Sequence, residues 1–253
     1  MESILAIKDL SIQIKDRILF RNANFSVNPG DAVLLSGPNG IGKSTLLKSI
    51  LQLETAEKTI KGEIIVRGFG NTLTLNKQEI QRLRSGVAYV QQKDEYAEMG
   101  NIQVRDIISE SGEAGSGKTL NYSEVNDLID EWIPRREDNS RVFDAKSKPA
   151  KFSGGEQRLL SVLSVVAVRS RAELMIIDEP LNNLDFINAR NISNLINRVI
   201  HRNPQMAVLM ISHCRIFPFI TREIKLTPEG TNEVTERYEC HSCFGEHDGN
   251  GFY

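Results

Sequence analysis

The stretch "GPNGIGKS" at residues 37–44 constrains this chain more than any other. It satisfies the pattern G-x-x-x-x-G-K-[ST], and its flanks complete a physical device. "DAVLLSG" before it is a short apolar run ending in Gly37, which predicts a buried strand. "KSTLLKSILQL" after it spaces its apolar residues as one face of a helix does. A strand that enters a tight glycine turn, with a helix starting from that turn, aims free backbone N–H groups and the helix dipole at a phosphate. Lys43 then reaches the β- and γ-phosphates of a nucleotide, and the Ser44 hydroxyl is placed to ligate Mg²⁺.

The same pattern recurs as "GEAGSGKT" at residues 112–119, without those flanks. "VRDIISES" before it is polar and helical in pattern, and a helix begins only some residues after it. This second match is expected to be a solvated glycine-serine loop between two helices, with no nucleotide.

A phosphate-loop hydrolase needs a second anchor for its metal. "LMIIDEP" offers one, an apolar strand that ends in Asp178 and Glu179. Asp178 would hold Mg²⁺ through water, and Glu179 would polarise the attacking water as general base. In "FSGGEQ", Ser153 and Glu156 have the spacing of a capping box at a helix start. Gly154 and Gly155 are poor helix formers, and make sense where the backbone must approach something closely, such as a phosphate at the helix N-terminus.

Short apolar strands alternating with helices predict an α/β fold with a parallel sheet. Residues 3–29 alternate apolar and polar side chains in patches, which predicts an antiparallel subsheet beside it. Asn76 and Glu79 mark a helix start, and "REIKLT" with "NEVTERY" reads as a closing hairpin. The middle, 93–152, is polar and mostly helical in pattern, with glycine-rich and charged interruptions. The 253 residues carry a net charge of −2, which offers no global basicity for binding nucleic acid. Three cysteines give no disulfide framework and favour a reducing compartment. The N-terminus lacks the pattern of a signal peptide, and the longest apolar run, 159–168, is too short to span a bilayer. If the protein works at a membrane, another chain spans it.

Cys240, His241, Cys243 and His247 lie close together in the tail. A lone C-x-x-C in glycine-rich surroundings favours a flexible, unliganded tail over a zinc site. Cys214 is expected to be core filler.

Taken in order, "GPNGIGKST", "YVQQ", "FSGGEQ", "MIIDEPLNNLD" and "MISH" resemble the ATP-binding cassette (ABC) ATPases, as in the nucleotide-binding subunits of ABC transporters. The resemblance spans residues 37–213. It implies a P-loop core with a mostly parallel sheet, an antiparallel β-subdomain and a helical subdomain at about 93–170. A single domain would cover 1–238, with 239–253 a flexible tail. The resemblance further implies that ATP and Mg²⁺ are gripped by Gly37, Pro38, Asn39, Gly40, Ile41, Gly42, Lys43, Ser44 and Thr45. Gln92 would contact metal and attacking water, with Gln91 as spacer. Ser153, Gly154 and Gly155 would contact the γ-phosphate of a second chain's nucleotide. Asp185 would lie in the loop that crosses between the chains, and His213 would contact the γ-phosphate. Mg²⁺ would be held by Ser44, Gln92 and Asp178.

Three departures stand out. Phe152 replaces a usual leucine, and the basic residue often found past the signature appears as Arg158. Ile14 stands near the place where the family stacks an aromatic ring on adenine, which predicts weaker discrimination between ATP and GTP. The reading implies a second ABC subunit, identical or different, and a separate transmembrane permease. It places the chain peripherally on the cytoplasmic face of a membrane, moving an unknown substrate without direct nucleic-acid contact. The alternative is a soluble ABC ATPase acting mechanically on nucleic acid, a ribosome or a scaffold.

Overall fold

Six strands form the sheet that organises the molecule: β3 (Ala32–Ser36), β6 (Val87–Val90), β7 (Leu174–Asp178), β8 (Ala207–Ile211), β9 (Arg222–Thr227) and β10 (Gly230–Val234). Their order is β10-β9-β3-β8-β7-β6, parallel throughout except for the β9–β10 hairpin. The computed structural model describes residues 2–53, 57–92, 100–166, 169, 171–182, 184–213 and 217–234. Cys214 and the tail cluster of Cys240, His241, Cys243 and His247 lie outside them, as does the expected tail 239–253.

β7 and β8 are buried at every position. Their unbroken apolar runs are what a parallel strand covered on both faces requires. Alternation sorts their side chains between two cores. Met175, Ile177, Val208 and Met210 face one, and Leu174, Ile176, Ala207 and Leu209 face the other. The second core is closed by α1 (Lys43–Ile50) and by an antiparallel sheet of β1 (Leu5–Ile14), β2 (Arg17–Val27), β4 (Lys58–Val66) and β5 (Gly70–Asn71), in the order β2-β1-β4-β5. The expected antiparallel subsheet is therefore present. The first core is covered by α3 (Val104–Ser116), α4 (Tyr122–Trp132), α5 (Gly154–Val166) and α6 (Phe186–Arg202).

Local chemistry sets several boundaries. α2 (Lys77–Gly86) starts in a capping box: Asn76 Oδ1 accepts from the Glu79 amide at 3.1 Å, and Glu79 Oε2 accepts from the Asn76 amide at 2.8 Å. Residues 133–148 form turns and irregular chain, a charged interruption of the helical middle. Ion pairs hold that stretch: Asp130 binds Arg135 at 3.0 Å and Arg141 at 2.6 Å.

The second phosphate-loop match needs correction. Helix α3 runs through Ser116, so residues 112–116 are helical rather than loop. The helix stops at Gly117, whose φ of 71° makes a left-handed cap, and the Gly117 amide donates to the Glu113 carbonyl at 2.8 Å. Lys118 pairs with Glu124 at 2.6 Å, and Glu124 closes the capping box that begins α4. The segment is a helix end, a short connection and a helix start.

Candidate nucleotide site

Strands β3, β8, β7 and β6 are neighbours, and their carboxyl ends lie along one edge of the sheet. The turns leaving those ends carry Gly37–Thr45, His213, Asp178 with Glu179, and Gln92. Four segments far apart in sequence thus meet at the edge where parallel α/β sheets bind ligands.

The glycine turn is shaped by Gly42, which caps α1 with a φ of 106°. A Cβ there would lie 2.8 Å from Leu19 Cδ1, so both the backbone and the space demand glycine. No side chain caps α1. Its first N–H groups are therefore left to a ligand or to water. Lys43 is only 8% exposed, and its ammonium donates to the carbonyls of Gly37 at 2.8 Å and Pro38 at 3.1 Å. Burial lowers its pKa, opposed by the charges of Glu179 and Asp178.

Asp178 is fully buried. Its Oδ1 accepts from the Ser44 hydroxyl at 3.0 Å, and its Oδ2 has no hydrogen-bond partner. Burial raises its pKa, the Ser44 hydrogen bond opposes that rise, and the Glu179 charge adds to it. A buried carboxylate oxygen with no donor, beside a hydroxyl, fits a hard cation that takes oxygen ligands.

Glu179 has a φ of 47°, uncommon for a side chain of its size. Its carboxylate accepts from Gln92 Nε2 at 2.8 Å and Asn182 Nδ2 at 3.3 Å, and lies 3.3 Å from His213 Nε2. Backbone conformation and three polar neighbours hold it at the mouth of a cleft of about 590 Å³. Asn39, Gly40, Gly42, Lys43, Ser44 and Thr45 line that cleft, facing Gln92, Glu179 and His213. Gly37, Pro38 and Ile41 are not among the lining residues: the first two offer their carbonyls to Lys43, and Ile41 sits in the core.

Ser153, Gly154, Gly155 and Asp185 are not part of the cleft either. Ser153 and Glu156 do form the capping box: Ser153 Oγ accepts from the Glu156 amide at 3.3 Å, and Glu156 Oε2 accepts from the Ser153 amide at 2.9 Å. The two glycines differ. A Cβ on Gly154 would meet open space. A Cβ on Gly155 would lie 2.3 Å from Asn188 Nδ2. Asn188 is in turn held by Asp185, which caps α6 by accepting from the Asn188 amide at 2.9 Å and from its Nδ2 at 2.7 Å. Packing within this chain is thus one reason for Gly155: the close approach that the sequence suggested is met here by Asn188. Gly154 has no such intramolecular reason.

Sequence reasoning missed several residues here. Asn182 lies in a stretch quoted for its aspartate, and its signal was a polar side chain three residues after Glu179 in a turn. Arg17 and Leu19 join Ile14 in the cleft, and Arg17 Nη2 donates to the Gly40 carbonyl at 3.0 Å. No aromatic side chain is among the lining residues. Arg158 is 3% exposed on α5 and donates to backbone carbonyls beside Glu179. The sequence reading named Arg158 as the basic residue past the signature and assigned it no contact.

The family described as "ABC transporter" matches residues 20–182. ABC transporter F family member 5 of Arabidopsis thaliana is 29% identical over 223 residues, covering 85% of this chain and 26% of the relative. The cell division ATP-binding protein FtsE of Streptococcus pneumoniae is 29% identical over 197 residues, covering 76% of this chain and 77% of the relative. The chain spans between about a quarter and less than half of several longer relatives it matches. Among solved structures, a dimeric post-hydrolysis ATP-binding cassette bound to ADP and phosphate aligns with a TM-score of 0.70 at 19% identity, covering 92% of this chain and 100% of that one. With its family match, its fold and its motif order in agreement, the chain belongs to the ABC transporter family.

Proposed function

We propose that this chain binds and hydrolyses MgATP between two cassette subunits, and that the resulting opening and closing drives a separate membrane-spanning partner. The observation that carries this reading is the pairing of Ser44 with the half-satisfied, buried Asp178, beside a Glu179 already surrounded by Gln92, Asn182 and His213. Lys43 and the α1 amides would hold the phosphates. Ser44, Asp178 and Gln92 would hold Mg²⁺, which when bound supplies neutralising charge to the phosphate oxygens. Glu179 would accept the proton of the attacking water, oriented by Gln92 and Asn182, and His213 would face the γ-phosphate.

Two chains are needed because Ser153 and Gly154 lie outside their own cleft. The exposed tip of α5, with open space at Gly154, supports a role in the partner's site. A head-to-tail pair with two-fold symmetry would place each signature against the other chain's nucleotide. Hydrolysis then removes a bridge between the halves and shifts a closed-to-open equilibrium. The partner subunit would be a second copy of this chain. Among the described residues no helix is long and apolar enough to cross a membrane. The permease would be a separate polypeptide, and this chain would sit peripherally on the cytoplasmic face.

A second reading, a cassette that moves a non-transport assembly, is favoured by the relative named for cell division. Fractionation separates the two. A permease-coupled cassette pellets with membranes and is released when the permease is deleted. A chain that stays in the supernatant with every candidate permease present would sink the transport reading.

A further inference from the structure

We propose that Arg158 is a positioning residue that holds the backbone of Glu179 and the Gln92 loop in its own site, and couples that site to the signature on the same helix. This rests on the two-chain reading above.

Arg158 lies in the second turn of α5 and is almost entirely buried. Its guanidinium reaches backbone carbonyls from two separate segments. Nε donates to Pro180 at 2.9 Å, and Nη2 donates to Glu179 at 3.0 Å and to Asp178 at 3.2 Å. Nη1 donates to the carbonyl of Gln91, the residue before Gln92. A guanidinium presents five donors in a fixed fork. Here the fork gathers the end of β7 and the end of β6 into one arrangement.

That arrangement is the one the chemistry needs. Glu179 sits at a positive φ that the surroundings must enforce. Its amide is fixed to the Ile211 carbonyl at 2.9 Å, and its own carbonyl is fixed by Arg158. Gln92, whose amide group bonds the Glu179 carboxylate, follows the carbonyl that Arg158 Nη1 holds. Each of these four hydrogen bonds is to a backbone carbonyl, so Arg158 positions these groups through the backbone.

The coupling follows from α5 itself. Ser153 and Gly154 open the helix, and Arg158 is one turn further on. A helix moves as a rigid rod over that distance. When its tip engages the partner's nucleotide, the same rod sets the carbonyls that aim Glu179 in its own site. Each chain would thereby sense the partner's nucleotide through its own signature helix.

The test uses Arg158→Lys, which keeps the charge but cannot span both segments. Turnover should fall on the order of 100-fold, as a small misplacement of a catalytic group does. KM for ATP, and binding of a fluorescent ATP analogue, should stay near wild type because the Lys43 loop is untouched. A purely structural role would weaken binding and turnover together. Two-tag purification then isolates mixed dimers. In one, an Arg158→Lys chain is paired with a Glu179→Gln chain, so the intact Glu179 lies beside the altered residue. In the other, a chain carrying both changes is paired with wild type, so the intact Glu179 keeps its own arginine. The first pair should be slow, and the second should match a control of wild type paired with Glu179→Gln.

Equal loss in both pairs, or unchanged turnover in the first, overturns the assignment. If no mixed dimer forms although each chain binds ATP, the two-chain reading fails. The comparison of turnover with KM for the single variant still decides the positioning role.

Discussion

Residues 37–44 and 112–119 obey the same eight-residue rule and do opposite things. The first follows a buried strand and opens α1, and its lysine is buried against two carbonyls and the charges of Asp178 and Glu179. The second is the end of α3, and its lysine pairs with Glu124 at the start of α4. Glycine serves the first as a left-handed turn tight against Leu19, and serves the second as a helix stop. The glycine turn that buries Lys43 is therefore a property of strand, turn and helix together, and the residues of the pattern only permit it.

The sharpest way to break that contrast is to neutralise each lysine. Lys43→Ala should weaken MgATP binding by about 2–5 kcal/mol, the range for removing one partner of a buried charged contact. Lys118→Ala should leave ATP binding unchanged. Isothermal titration of both variants decides it, and equal losses would erase the distinction.

Asp178→Asn extends the comparison to the second anchor. ATPase activity should fall by at least about 100-fold, the lower bound for losing an electrostatic group at a reacting centre. Stability should move the other way. Because burial raises the Asp178 pKa, its contribution to folding is unimpaired below the ordinary aspartate range and is lost as pH rises through the raised folded value. At neutral pH the folded apoprotein carries that loss, so the variant should melt a few degrees higher by calorimetry. For the same reason, Mg²⁺ affinity of the wild type should decline on acidification at a pH above the ordinary aspartate range. A lower melting temperature for Asp178→Asn would contradict this account of its burial.

The signature glycines offer a smaller effect. Gly155→Ala should destabilise the fold by about 1–3 kcal/mol, as overpacking does. Adding Asn188→Ala should restore most of that loss in a denaturant titration. Gly154→Ala should leave stability unchanged or slightly higher, since alanine favours a helix, while weakening ATP-driven association. Retained association in that variant would remove the argument that Gly154 faces a partner.

The smallest expected effect is at the far end of the cleft. Ile14→Tyr should tighten ATP binding by about 0.5–1.5 kcal/mol and sharpen selection of ATP over GTP. Equal affinities for both nucleotides in wild type and variant alike would remove Ile14 from base recognition.

Much of this was legible in the sequence because it is periodic or local. The apolar runs of β3, β7 and β8, the amphipathic α6 and the Asn76 cap announce themselves within a few residues. The carboxylates at the end of β7 were legible because the strand before them is unbroken. What was hidden depends on contacts between distant segments. Nothing near Gly155 in sequence reveals Asn188 against it, and nothing near Arg158 reveals carbonyls at 91 and 178–180. The α3 helix runs through Gly112 and Gly115 to its left-handed cap at Gly117, an extension that weak local propensity did not announce.

The most direct measurement is the mass in solution of the Glu179→Gln variant by light scattering, with and without saturating MgATP. The account predicts the 28.4 kDa chain alone and twice that mass with nucleotide. A variant that binds MgATP yet keeps the mass of one chain would contradict it.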